Sequence, residues 1–120
     1  MKSDFTEIGG FFEIAAKGII ISISDQEMSN ELAELAKRIL NEYPQKVAGI
    51  AEYIAKDEWI ATTYALSKEE IAKKLGPVNI LLHGSGGRLS YCENRIDDDH
   101  ILDVEFSGVL EEFFDISMDG

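Results

Sequence analysis

The apolar residues of this chain change their spacing twice, and a chain that does so has to combine strands with helices. Ile19, Ile21 and Ile23 alternate with Ile20, Ser22 and Ser24, a period of two with β-branched residues that marks a strand with one buried face. Met28, Leu32, Leu35, Ala36, Ile39 and Leu40 then recur at helical spacing, with Glu31, Glu34, Lys37 and Arg38 largely on the other side. Beyond Gly76-Pro77 the period returns to two, as in Leu102, Val104 and Phe106 alternating with Asp103 and Glu105.

Local signals set the expected boundaries. Phe11 to Ile14 and Lys17 to Ile23 read as strands joined by a turn at Ala15-Ala16-Lys17-Gly18. Ser24-Asp25-Gln26-Glu27 reads as a capping box opening a first helix. Pro44 suits the first turn of a second helix carrying Val47, Ile50, Ala51 and Ile54. Ser67-Lys68-Glu69-Glu70 is a second capping box, opening a short helix that Gly76-Pro77 ends. Val78 to Leu82 and Arg88 to Cys92 flank Gly84-Ser85-Gly86-Gly87 as a hairpin, and Asp99 to Phe106 and Glu112 to Met118 flank a turn around Ser107-Gly108. The expectation is an α+β fold with residues 1–120 as a single domain. Its mostly antiparallel sheet, from the N-terminal hairpin and the C-terminal strands, carries about three helices on one face.

Charge narrows the class of partner. Eleven Lys and Arg stand against 23 Asp and Glu, for a net charge of −12. The excess gathers late: from Glu93 to Gly120, Arg95 is the sole base in a stretch with Glu93, Asp97, Asp98, Asp99, Asp103, Glu105, Glu111, Glu112, Asp115 and Asp119. Such a field repels nucleic acid and anionic lipid and attracts cationic partners. Acidity also keeps proteins soluble without any partner. The single cysteine, Cys92, permits no intrachain disulfide and fits a reducing compartment. Met1 to Glu7 lacks a signal peptide's basic start and apolar core. Runs such as Ile19-Ile20-Ile21 are far short of the roughly 20 residues that span a bilayer. The expected location is cytoplasmic.

The groups that carry catalysis are sparse. The histidines are His83 and His100, and in the expected hairpin His83 faces Arg88 while Cys92 faces Asn79. That separates His83 from Cys92 by roughly 13 Å of strand, too far for a dyad or a shared metal. Gly84-Ser85-Gly86-Gly87 precedes a strand and no Lys follows it, so it is a turn and no phosphate cradle. Asp97-Asp98-Asp99-His100 lacks the Ca²⁺-loop spacing, and a solvated acidic loop is the stronger reading there. No catalytic residue, metal ligand or cofactor is expected. Trp59 reads as a core anchor fixing the loop between the second and third helices.

The terminal hairpin is the expected site. Pairing Leu102 with Ile116 and Val104 with Phe114 makes both apolar faces coincide and sets Asp103 opposite Asp115, where like charges destabilise. Phe113 is expected to stand exposed beside them as an anchor. The partner-binding residues expected are thus Asp97, Asp98, Asp99, Asp103, Glu105, Glu111, Glu112, Phe113 and Asp115.

The N-terminal hairpin, the helices from Ser24 to Leu75 and the strands after Gly76-Pro77 resemble small acidic bacterial proteins of unknown function. Several of those are immunity proteins of polymorphic or contact-dependent toxin systems. The local likeness is Asp98-Asp99-His100 leading into Ile101 to Phe106, with Gly108 and Met118-Asp119-Gly120; the tryptophan that some relatives carry before this step is missing. The resemblance implies no catalytic residues. It implies a protein-binding inhibitor of a basic toxin domain, a nuclease being the type whose phosphate-binding site is basic. A housekeeping adaptor or oligomeric assembly protein, and a metal-binding hydrolase or sensor around His100, are the alternatives.

Overall fold

The computed structural model describes residues 4–119. Met1, Lys2 and Ser3, on which the signal-peptide reading partly rests, and Gly120, which closes the resemblance, lie outside the described residues. The strands β1 (Thr6–Ile8), β2 (Phe11–Ala16) and β3 (Ile19–Ser24) come first. The helices α1 (Asn30–Ala55), α2 (Glu58–Tyr64) and α3 (Lys68–Lys74) follow, and then β4 (Val78–His83), β5 (Gly86–Tyr91), β6 (Ile101–Ser107) and β7 (Glu112–Asp119). The described residues form an α+β domain with one seven-stranded sheet, its strands in chain order from β1 to β7.

β3 and β4 run parallel, and every other neighbouring pair is antiparallel. A parallel pair needs a crossover of about a dozen residues or more, and the three helices supply it. The register sets Ile21, Ile80, Leu89 and Val104 side by side across four strands, all buried. The expected burial of Ile19, Ile21 and Ile23 holds. Ala36, Ile39, Ile50 and Ile54 of α1 are buried in the same core, and Ile71 of α3 joins them. On the opposite face Ile20, Asn79, Leu81, Arg88 and Ile101 stay exposed.

α1 is one helix where two were expected, running through Pro44. An interior proline costs about 3 kcal/mol through a lost hydrogen bond and a clash. Burial of Ile50 and Ile54 beyond it, at about 2 kcal/mol each, outweighs that. Its start also differs: Ser29 is the N-cap, its hydroxyl accepting from Leu32 N at 3.1 Å. Ser24 closes β3 instead, because the amide of Asp25 donates to Gly10 O and holds this stretch to the sheet. The capping box at Ser67 and Glu70 forms as expected.

The β4–β5 hairpin is tighter than expected, with Gly84-Ser85 alone as its turn and Gly86 and Gly87 inside β5. A Cβ on Gly86 would lie 2.1 Å from Phe106 O, and one on Gly87 2.2 Å from Leu81 O. The neighbouring backbones leave room for glycine alone. Arg88 consequently faces Leu81 and His83 faces Gly86.

One buried polar link ties helix to sheet: the hydroxyls of Tyr43 and Tyr91 are 2.6 Å apart. Burial pushes Tyr43 up to about 12 and raises Tyr91 well above the usual phenol value. No helix among the described residues is long and apolar enough to cross a membrane.

Candidate interaction surface

The acids of β6 and β7 fall on the sheet face turned away from the core, but in a different register from the expected one. Leu102 pairs with Met118, Val104 with Ile116 and Asp103 with Ser117. The acid pair facing across the strands is Glu105 with Asp115 instead of Asp103 with Asp115. The strands leave their turn one residue out of the expected register, with Ser107 facing Glu112 and Phe106 facing Phe113, and a bulge at Glu105/Phe106, which leaves Phe114 as the extra residue, adds the second. Ile101 with Asp119 and Ser107 with Glu112 complete the ladder, so Asp103, Glu105, Glu112, Asp115 and Asp119 lie on two adjacent strands.

Their partners differ. Glu105 accepts from Arg88 Nε at 2.7 Å and lies 3.8 Å from His83 Nε2. Its hydrogen bond to Glu105 and that carboxylate's charge raise the Arg88 guanidinium, with Asp103 and Asp119 adding to it. Asp103 accepts from the Ser90 hydroxyl at 2.6 Å. Asp115 accepts from the adjacent amide of Ile116, and Asp119 from Ser117 at 3.3 Å. Neither meets a cation there, and the carboxylate of Glu112 has no bonded partner among the described residues. Glu111 is spent on its own loop: its Oε1 accepts from Val109 N at 3.3 Å and lies over Gly108, where a Cβ would come within 2.2 Å of it.

The loop before β6 holds Asp97, Asp98, Asp99 and His100 quite differently. Buried Asn94 organises it, donating to Tyr91 O at 2.9 Å and His100 O at 3.0 Å, and accepting from Ile96 N and Asp97 N. Asp97 accepts from the Tyr64 hydroxyl at 2.6 Å and from Asp99 N at 3.0 Å. His100 Nδ1 lies 3.0 Å from the same carboxylate without good hydrogen-bond alignment. Tyr64 first, then His100 and the Asp99 amide, hold the Asp97 carboxyl down to about 2. In return the carboxylate pushes Tyr64 up to about 12. Asp97 is therefore committed internally, whereas Asp98 and Asp99 are exposed.

The aromatic residues also change places. Phe113, expected to be exposed, points to the core side and stacks on Tyr53 of α1, with ring centroids 5.4 Å apart. Of the two neighbours the exposed one is Phe114, at 64%. Trp59, expected as a core anchor, is 55% exposed and meets Tyr64 edge-on at 5.8 Å. Asp57 caps α2 through Ile60 N at 3.0 Å, and Tyr64 ties its far end to Asp97. Held so, Asp57, Trp59 and Ile60 face Ile116, Ser117 and Met118 of β7 across a groove of about 270 Å³. Burial raises the Tyr53 hydroxyl, and the charges of Asp115 and Asp57 push it further.

Sequence reasoning missed this groove. Its signal was Trp59 beside the capping pattern Asp57 to Ile60, but α2 turns Ile60 into the core and leaves Trp59 exposed.

Cys92 is exposed and sits by the Asn79 amide, Nδ2 to Sγ 3.8 Å. From there His83 lies at the other end of β4, roughly 13 Å along the strand. Among the described residues no group of three or more His, Cys, Asp or Glu is placed to hold a metal ion.

The fold and surface together define an α+β domain whose sheet is helix-covered on one side and acidic at one edge of the other. Comparison of the chain with protein-family models, with curated proteins and with solved structures gives no match.

Proposed function

We propose that this chain is a non-enzymatic protein-binding module that docks on a basic protein through the acidic β6–β7 face. Its nearest functional description is an immunity-type inhibitor acting on a toxin domain, with nucleases the type of toxin whose cationic substrate site it would cover. The observation that carries this reading is the Glu105–Asp115 pair, flanked by Asp103, Glu112 and Asp119. Like charges placed opposite one another cost stability, and Arg88 offsets only Glu105 directly. Such an arrangement suits a cation brought by another molecule.

The test is capture from the source lysate at low and high salt, with wild type beside an Asp103→Asn, Glu112→Gln, Asp115→Asn variant. A basic protein retained at low salt and lost with the variant is the expected result. Absence of any specific partner under both conditions overturns the reading. A second reading, assembly through the sheet face, draws on exposed Ile8, Phe11, Ile20 and Leu81 toward its N-terminal half. Self-association that persists in high salt would favour it.

A further inference from the structure

β7 is the last strand of the sheet and pairs with β6 alone. Along residues Glu112–Asp119 one row of backbone N–H and C=O groups therefore has no strand partner among the described residues, although the Ile116 amide already meets the Asp115 carboxylate; the row is a template for a further strand. The opposite edge, β1, is blunted by its length of three residues. β7 is long and holds no Lys or Pro; its bulge at Phe114 and its acids blunt the edge toward a like strand and leave Asp115 to Asp119 as the regular stretch.

Two further features select what such an edge accepts. β7 and α2 carry Asp57 as cap, Glu58, Glu112, Asp115 and Asp119, and neither element holds a Lys or Arg. A second copy paired along β7 would set this acid row against itself, whereas a basic segment would neutralise it. The groove between α2 and the edge offers Trp59, Ile116 and Met118 as apolar walls beside Asp57. A cation over the indole face gains further.

We infer that β7 accepts an extended, basic segment of the partner as an eighth strand, with one of its side chains lying in the groove against Trp59. This rests on the reading of the β6–β7 hairpin as a partner surface and adds the mode of binding. Backbone pairing supplies affinity, and the acid row and the groove supply selection, as in strand-addition complexes generally.

The probe is an alternating Lys–Val decapeptide titrated into the full chain, with an alternating Lys–Pro decapeptide of equal charge as control. Proline has no N–H to donate, so the control keeps the charge and removes most of the pairing. The Lys–Val peptide should bind at least about ten-fold more tightly and slow amide exchange along β7. Trp59→Ala should weaken it about ten-fold while leaving the melting curve near wild type, since Trp59 is more exposed than buried. Equal affinity for the two peptides, both lost with Asp115→Asn, removes strand addition and leaves the charged surface standing. Failure of both peptides to bind, while a basic protein is still captured from lysate, removes strand addition alone. Failure of the peptides and of capture together removes both readings.

Discussion

The loop from Asn94 to His100 and the strand β7 are both rich in acid, yet their carboxylates live in different circumstances. In the loop, Asp97 is bonded to Tyr64 and Asp99 and paired with His100, and buried Asn94 closes the backbone around it. On β7, Asp115 and Asp119 accept hydrogen bonds only from their own strand, Asp119 acting on Arg88 through its charge alone, and Glu112 has no bonded partner among the described residues. Of the loop's acids Asp97 is engaged in holding the protein together, while Asp98, Asp99 and the acids of β7 are exposed. A count of acids treats the two alike; an account of where each lone pair goes separates them.

The comparison breaks if the loop proves dispensable. Asn94→Ala strands two carbonyls and two amides in a buried turn and should cost about 3 kcal/mol in denaturant titration; a loss under about 0.5 kcal/mol would leave the loop no more structural than β7. A smaller effect is expected at Asp97. Its carboxyl is lower when folded, about 2, than its usual 3.8. The stability it lends is therefore complete above about pH 4 and drains away as pH falls through about 2. Asp97→Asn should flatten that acid limb in melting temperature and lower the plateau above it, by less than Asn94→Ala does. The smallest effect belongs to β7. Asp115→Asn should leave stability within about 0.5 kcal/mol of wild type, on the stabilising side, because it relieves Glu105. A clear destabilisation would move Asp115 into the same class as Asp97.

Much of the architecture was legible because local chemistry dictated it. The isoleucine alternation in β3 and the Ser67 capping box are short-range signals, and both appear where the sequence places them. What was not legible depended on distant partners. Pro44 reads as a start, yet Ile39, Tyr43, Val47, Ile50 and Ile54 keep a common helical stripe across it. That unbroken phase was the signal that one helix continues. Gly86 and Gly87 read as turn residues because the closeness of Leu81 and Phe106 backbone is invisible locally. The turn and the bulge at Glu105/Phe106 together shifted the β7 register by two residues, so the strand acids lie on the outer face with facing pairs other than those expected. The bulge also exchanged the roles of Phe113 and Phe114, and Trp59 was misplaced because α2 buries its neighbour Ile60 instead.

The strand order carries a kinetic consequence. Every antiparallel pair joins strands that are neighbours in sequence, so each is a contact the chain finds within a short loop. The β3–β4 seam alone must close across the full helical crossover. Loop-closure entropy is lost before such a contact returns anything, so the conformational search in this fold is concentrated in one event, the meeting of Ile21 with Ile80 beneath α1.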